Sequence, residues 1–185
     1  MKKIFFYTIL VFSLCGNVIA DSQDRDINLN QLFDQLNKSS NASLAFEIEM
    51  KIWNIWSTHP TQEKLTKSLA KGSDLMSRGE WEKSYKVFSV IIDVAPNWAE
   101  GWNKRATVLY LMGKYQDSLK DIDEVLKRER RHFGALSGQG LVHLELKNYE
   151  KAIESYEAVQ KIYPSMQSPK IMIPRLEKLI ESEFI

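Results

Sequence analysis

Arg78-Gly79-Glu80-Trp81-Glu82-Lys83-Ser84 returns as Met112-Gly113-Lys114-Tyr115-Gln116-Asp117-Ser118, and again as Leu146-Lys147-Asn148-Tyr149-Glu150-Lys151-Ala152, with the start advancing by 34 positions each time. The same step links Phe88, Ile122 and Tyr156, and also Pro96, Arg130 and Pro164. Self-similarity at this period marks a stack of small supersecondary units, none able to bury its apolar face alone. Such a stack presents a surface rather than enclosing a cleft, so the sequence points to a binder or scaffold.

Each unit reads as two helices joined by a tight turn. Gly79 and Gly113 sit in that turn, where a left-handed backbone suits glycine. The third turn breaks the pattern with Lys147, and the neighbouring Asn148 is able to tolerate the left-handed conformation. The period, with its aromatic residue after the turn, small residue, large apolar residue and closing proline, resembles the tetratricopeptide repeat signature. Residues 65–98 match at Gly72, Gly79, Trp81, Ser84, Phe88 and Pro96. Residues 99–132 match at Trp102, Ala106, Leu109, Gly113, Tyr115, Ser118 and Ile122. Residues 133–166 match at Gly140, Tyr149, Ala152, Tyr156 and Pro164. Three positions depart from the signature: Ser68 replaces the usual tryptophan, Arg130 the proline and His143 the tyrosine. The stretches from Trp102 to Thr107 and from Arg131 to Leu136 also resemble small exported bacterial members of this family.

That resemblance implies an all-α fold, a right-handed superhelix of three helix pairs within 60–166, with helical caps at both ends. The N-terminal cap is expected over 28–59. It comprises a short helix from Asn28 to Asn37, carrying Leu29, Leu32, Phe33 and Leu36, and a second from Ala42 to Ser57. His59-Pro60 ends the second helix. Trp53 and Trp56 are read as packing against the first repeat rather than as a ligand-stacking pair. A C-terminal capping helix is expected over 167–185. Ser168-Pro169 suits its start, Pro174 either kinks it or marks its true beginning, and Leu176, Leu179 and Ile180 face inward.

Before the repeats lies an export layout. Lys2 and Lys3, the apolar run Ile4 to Leu14, and Val18-Ile19-Ala20 have the order of a signal peptide cleaved after Ala20, with 21–27 as a flexible leader. Leu14 before Cys15 argues against lipidation. Cys15 is the one cysteine, so the processed chain would hold no disulfide, thiol nucleophile or thiolate metal site. Loss of Lys2 and Lys3 turns the formal net charge of +1 into −1. With no basic stripe, nucleic acid is a poor partner, and no integral membrane segment is expected after cleavage. The expected location is an exported compartment, the periplasm.

In members of the family the first helix of each repeat lines a concave face. Its second, fifth, ninth and twelfth residues reach a bound peptide. The resemblance places Thr66, Leu69, Ser73 and Met76 there in repeat one; Glu100, Asn103, Thr107 and Tyr110 in repeat two; and Gly134, Ser137, Leu141 and Leu144 in repeat three. The partner-binding set is therefore Leu69, Ser73, Met76, Asn103, Thr107, Tyr110, Ser137, Leu141 and Leu144. Members that clamp a C-terminal carboxylate use Lys and Asn at fixed groove positions. Here Leu69, Ser73, Gly134 and Gly138 stand at clamp positions, so no clamp is expected and a protein or peptide segment of apolar and small polar character fits better. Self-association into a structural scaffold is the alternative. No phosphate loop, serine-nucleophile motif or histidine at metal-ligand spacing occurs, which points away from an enzyme, a cofactor and a metal. The run Lys127, Arg128, Arg130, Arg131 and His132 reads as a solvated loop with charge compensation behind Glu124, or as a meeting point for an acidic partner or lipid headgroups.

Overall fold

The structure, a computed structural model, describes residues 24–183, so the signal segment falls outside the described residues. Nine helices run along them, and no strand occurs among them: α1 (24–38), α2 (Ala42–Ser57), α3 (Glu63–Ser77), α4 (Trp81–Val94), α5 (Ala99–Leu111), α6 (Tyr115–Arg128), α7 (Phe133–Glu145), α8 (Tyr149–Ile162) and α9 (Gln167–Glu183). The hairpins α3–α4, α5–α6 and α7–α8 are the three repeats, and each stacks on the next.

The same backbone device makes every hairpin turn. Gly79 N–H donates to Met76 O at 3.0 Å and Glu80 N–H to Leu75 O at 2.9 Å. Gly113 and Lys114 repeat the pair with Tyr110 and Leu109, and Lys147 and Asn148 repeat it with Leu144 and His143. These crossed bonds satisfy carbonyls orphaned at the helix end and require a left-handed residue at the centre. Gly79 has φ +74° and Gly113 +71°. In the third turn the left-handed residue is Lys147 itself, with φ +58°, while Asn148 has φ −90°. Asn148, able to tolerate that conformation, does not adopt it, because the hydrogen-bond register fixes the left-handed position whatever residue occupies it.

Packing within each hairpin follows a size match. A Cβ on Gly72 would lie 2.5 Å from the Phe88 ring, and one on Gly140 would lie 2.7 Å from the Tyr156 ring. Repeat two carries Ala106 against the slimmer Ile122 in the same core cluster. Hydroxyls reinforce the first two crossings: Ser84 Oγ donates to Gly72 O and Ser118 Oγ to Ala106 O, both at 2.8 Å. At the far end Leu176 of α9 is fully buried with Ala152 and Tyr156. Pro174 lies inside α9 and does not end it. Leu179 joins that cluster and Ile180 is half-buried.

Two expectations about the N-terminus are corrected. The first helix begins by residue 24, so positions 24–27 of the supposed flexible leader are helical. Arg25 gives the reason: its guanidinium donates to the carbonyls of Ile55 and Thr58, capping the exposed end of α2. Nor do Trp53 and Trp56 pack against the first repeat. The α1–α2 hairpin folds back over the junctions between repeats. Leu29, Leu32, Phe33 and Leu36 of α1, with Ile48, Ile52 and Trp56 of α2, share a core with Phe133, Leu136, Val159 and Tyr163. Asn37 donates to Lys161 O at 2.6 Å and Tyr163 to Glu49 at 3.1 Å. At the other end of α2 the Trp98 indole donates to Trp56 O at 2.8 Å. The second helix thus spans from the end of repeat three back to the end of repeat one, where Trp98 precedes α5.

Candidate protein-interaction groove

The groove is lined by the first helices α3, α5 and α7. Its junction side is closed by α2. Trp56 stacks on His132, with centroids 3.9 Å apart and planes 9° apart, while Trp53 meets Phe133 edge to face. Gly134 lets this happen, since a Cβ there would lie 2.5 Å from the Trp53 ring. Lys104 lies over the same indole at 5.6 Å. Gly134 therefore receives the chain's own tryptophan, and its glycine is explained by that contact. Gly138 meets only ordinary contact from Ile122 at 3.9 Å.

Beneath this strap lies a polar cluster that the sequence did not reveal. Glu100 is 1% exposed and His132 0%. His132 Nδ1 accepts the Ala135 N–H at 3.0 Å, so the ring proton lies on Nε2, which faces Glu100 Oε2 at 3.2 Å. Asn103 donates to the same oxygen at 3.1 Å. Lys104 lies 3.2 Å from Oε1 as an ion pair rather than a directed hydrogen bond. Burial pushes the Glu100 carboxyl up, but the His132 hydrogen bond and the Lys104 ammonium outweigh it and hold it below the ordinary carboxylate value. Asn103 and Lys104 follow Glu100 on the same helix, but His132 comes from 32 residues away and is off the 34-residue step, so the period does not pair them. A search for metal-ligand spacing misses them. Among the described residues no group of three or more His, Cys, Asp or Glu side chains is arranged to hold a metal.

The expected contact residues fall into distinct environments. Leu69 is 3% exposed and belongs to the core of repeat one, which removes it from the groove surface. Met76 packs beside that core and Ser73 is half-buried. Asn103 is buried and its amide N–H donates to Glu100, while the residue still lines the cleft between α5 and α7. Leu144 packs with Tyr156 and Leu176. Thr107, Tyr110, Ser137 and Leu141 converge on a cleft of about 200 Å³ between α5 and α7. Thr107 and Leu141 are exposed, and Ser137 Oγ is buried without a hydrogen-bond partner. At the open end Tyr110 and Tyr115 both donate to Glu145, at 3.4 and 3.2 Å. Burial and then the Glu145 charge raise the Tyr110 phenol above its ordinary value, keeping it a donor. His143, which replaces the usual tyrosine, leaves its buried Nδ1 without a hydrogen-bond partner.

The basic run at 127–132 is held mostly within the chain. Lys127 and Arg128 pair with Glu124, Arg131 pairs with Glu129 and lies over Phe33, and His132 is buried under Trp56. Arg130 remains exposed.

Helix pairs with left-handed turns, size-matched crossings and a concave first-helix face define a helical-hairpin repeat protein. A sequence profile of the tetratricopeptide repeat matches residues 103–166. A TPR repeat-containing protein of Rhizobium etli is 30% identical over 169 residues, covering 88% of this chain and 82% of that one. The chain belongs to the tetratricopeptide-repeat family. Its fold is shared by the first TPR domain of Spaghetti (RPAP3), solved bound to an HSP90 peptide, with TM-score 0.62, 18% identity, and coverage of 64% of this chain and 94% of that one. The Sgt2 TPR domain of Aspergillus fumigatus gives TM-score 0.62 at 19% identity, over 66% and 82% of the respective chains. At these identities the likeness concerns the fold alone. No helix among the described residues is long and apolar enough to cross a membrane.

Proposed function

We propose that this chain is a non-catalytic protein-interaction module of an exported compartment, and that it takes a partner's peptide segment in the cleft between α5 and α7. The observation that carries the reading is the cleft itself. Exposed Thr107 and Leu141 flank a buried Ser137 hydroxyl that lacks a partner, beside a tyrosine held as a donor. A volume of about 200 Å³ suits one side chain of an extended segment rather than a whole small molecule. A C-terminal carboxylate has little to hold it, since Leu69 is buried and Lys104 already faces Glu100. An internal segment with a small apolar anchor is the better fit. The family's solved complex with an HSP90 peptide gives precedent for peptide capture on this fold. Export rests on the order of residues 1–20, and the envelope protein is expected to begin at Asp21.

Photo-crosslinking in the native envelope tests the reading, with the probe at Tyr110 and a control at Lys127. A product with another protein at Tyr110 alone supports it. Products only between copies of this chain favour a self-associating scaffold. No product at Tyr110 overturns the groove assignment.

A further inference from the structure

A second surface, on repeat one, is left open where the other two repeats close it. Between α3 and α4 runs a trough of about 480 Å³, floored by Leu65 and Ile91 and edged by Ser68, Val87, Val90 and Val94. Val90 is 60% exposed and Val94 56%. Valine side chains pointing to water on a helix face are unremarkable singly, but here they line one slot.

The 34-residue step shows what the slot holds elsewhere. In repeat two, Ser68 corresponds to Trp102, whose indole donates to Pro96 O at 2.9 Å and lies 5.1 Å from each of Arg105 and Arg128. The counterparts of Val87, Val90 and Val94 are Asp121, Glu124 and Arg128, which pair with Arg105 or with each other. The chain's own side chains thus fill and neutralise the register. In repeat three the counterparts of Ser68, Val90 and Val94 are Leu136, Ala158 and Ile162. They belong to the core that α1 covers with Leu29, Leu32, Phe33 and Leu36. An amphipathic helix carrying Asp26 and Asp34 already lies on this register once in the molecule. Repeat one has neither the tryptophan nor the covering helix, because the α1–α2 hairpin has folded away over the junctions.

Charge says what would cover it. Lys64, Lys71 and Lys86 rim the trough. All three are exposed, and none has a carboxylate partner among the described residues, whereas Lys67 and Lys83 nearby pair with Glu63 and Glu80. Three unpaired ammonium groups around an apolar slot select an apolar segment with acidic flanks and disfavour a basic one. We infer that the α3–α4 face of repeat one docks an amphipathic helix of a partner protein, with a bulky apolar side chain seated beside Ser68 and Asp or Glu residues facing Lys64, Lys71 and Lys86. This surface lies on the intact chain independently of the α5–α7 cleft and is recognised as a helix in a groove.

Two synthetic helical peptides test it on the full chain by calorimetry. They share a Trp- and Leu-bearing stripe and differ only in flanks of Glu or Lys. The Glu peptide is expected to bind at least about tenfold tighter than the Lys peptide, with Ser68→Trp and Val90→Glu each weakening it about tenfold or more. Reversal by Lys71→Glu with Lys86→Glu should invert the preference, and Tyr110→Ala should leave binding unchanged. Val90 is exposed, so its variant decides the matter if Ser68→Trp disturbs folding. Equal affinity for both peptides, or indifference to Val90→Glu, overturns the proposal. So does a dimer of the chain that Val90→Glu dissolves, which would make the occupant a second copy. Loss of binding with Tyr110→Ala would move the site to the cleft and overturn this one.

Discussion

Replacing Gly134 with alanine separates the strap from the repeats it spans. The added Cβ would stand 2.5 Å from Trp53 Cη2 and 2.9 Å from Cζ2, so the indole must swing away from its contacts with Trp56, Phe133 and Lys104. Overpacking of this kind costs about 1–3 kcal/mol. The gain in helix propensity, about 0.5–1 kcal/mol in a helix interior, is smaller at the second residue of α7. A net loss of about 1–2 kcal/mol follows, lowering Tm by about 2–8 °C for a chain of this size. Gly138 provides the control on the same helix. A Cβ there meets Ile122 at 3.9 Å, so Gly138→Ala should keep the propensity gain and raise Tm by about 1–4 °C. Thermal melts followed by circular dichroism and tryptophan emission report both, and proteolysis of α2 should quicken in the Gly134 variant alone. A Gly134→Ala protein as stable as the parent would refute the packing of Trp53 into the groove.

The turns make a paired prediction: Gly113→Val forces a β-branched residue to φ +71° and should cost at least about 1 kcal/mol, whereas Lys147→Gly relieves φ +58° and should stabilise by a similar amount. An unchanged denaturation midpoint in both would remove the left-handed turn as the cause. Acid should loosen the strap. The Glu100 carboxyl is held below its ordinary value in the folded chain, so its contribution is present above the unfolded pKa and is lost as pH falls through the lower folded value. Glu100→Gln should flatten the acid limb of the stability profile, and an acid limb parallel to the parent's would count against it. In the cleft, Thr107→Trp fills the space between α5 and α7 and should abolish crosslinking of a partner at Tyr110 while helicity is kept. Retained crosslinking would place the partner elsewhere.

The repeats were legible because their determinants are local and recur at one spacing. Turn glycine, small crossing residue and large apolar partner lie within one hairpin, so the period alone assigns α3 to α8. What escaped depends on contacts between segments that share no period. Nothing in Trp53 or Trp56 says that they pair with Gly134 and His132, because the docking site is created by a missing Cβ on another helix. Leu69 and Asn103 show a second limit. A family's groove positions give the helix face, but not whether a side chain there turns into the core, as Leu69 does, or donates to a buried neighbour, as Asn103 does to Glu100. Ser68 was visible as a departure from the signature, yet its meaning emerged only with Trp102 and Leu136 in place.

A solenoid whose units touch only their neighbours can unravel from either end. This one is strung like a bow, since α2 joins Tyr163 at the end of repeat three to Trp98 at the end of repeat one. The string makes the curvature a fixed property of the chain and lets repeats one and three melt together. It also orders assembly in time. The apolar stripe of α1 and α2 is synthesised first, but its acceptor surface is complete only once residues near Tyr163 have been made. Throughout that interval the stripe lacks its acceptor surface, an exposure that favours association with other chains until the last repeat has been made.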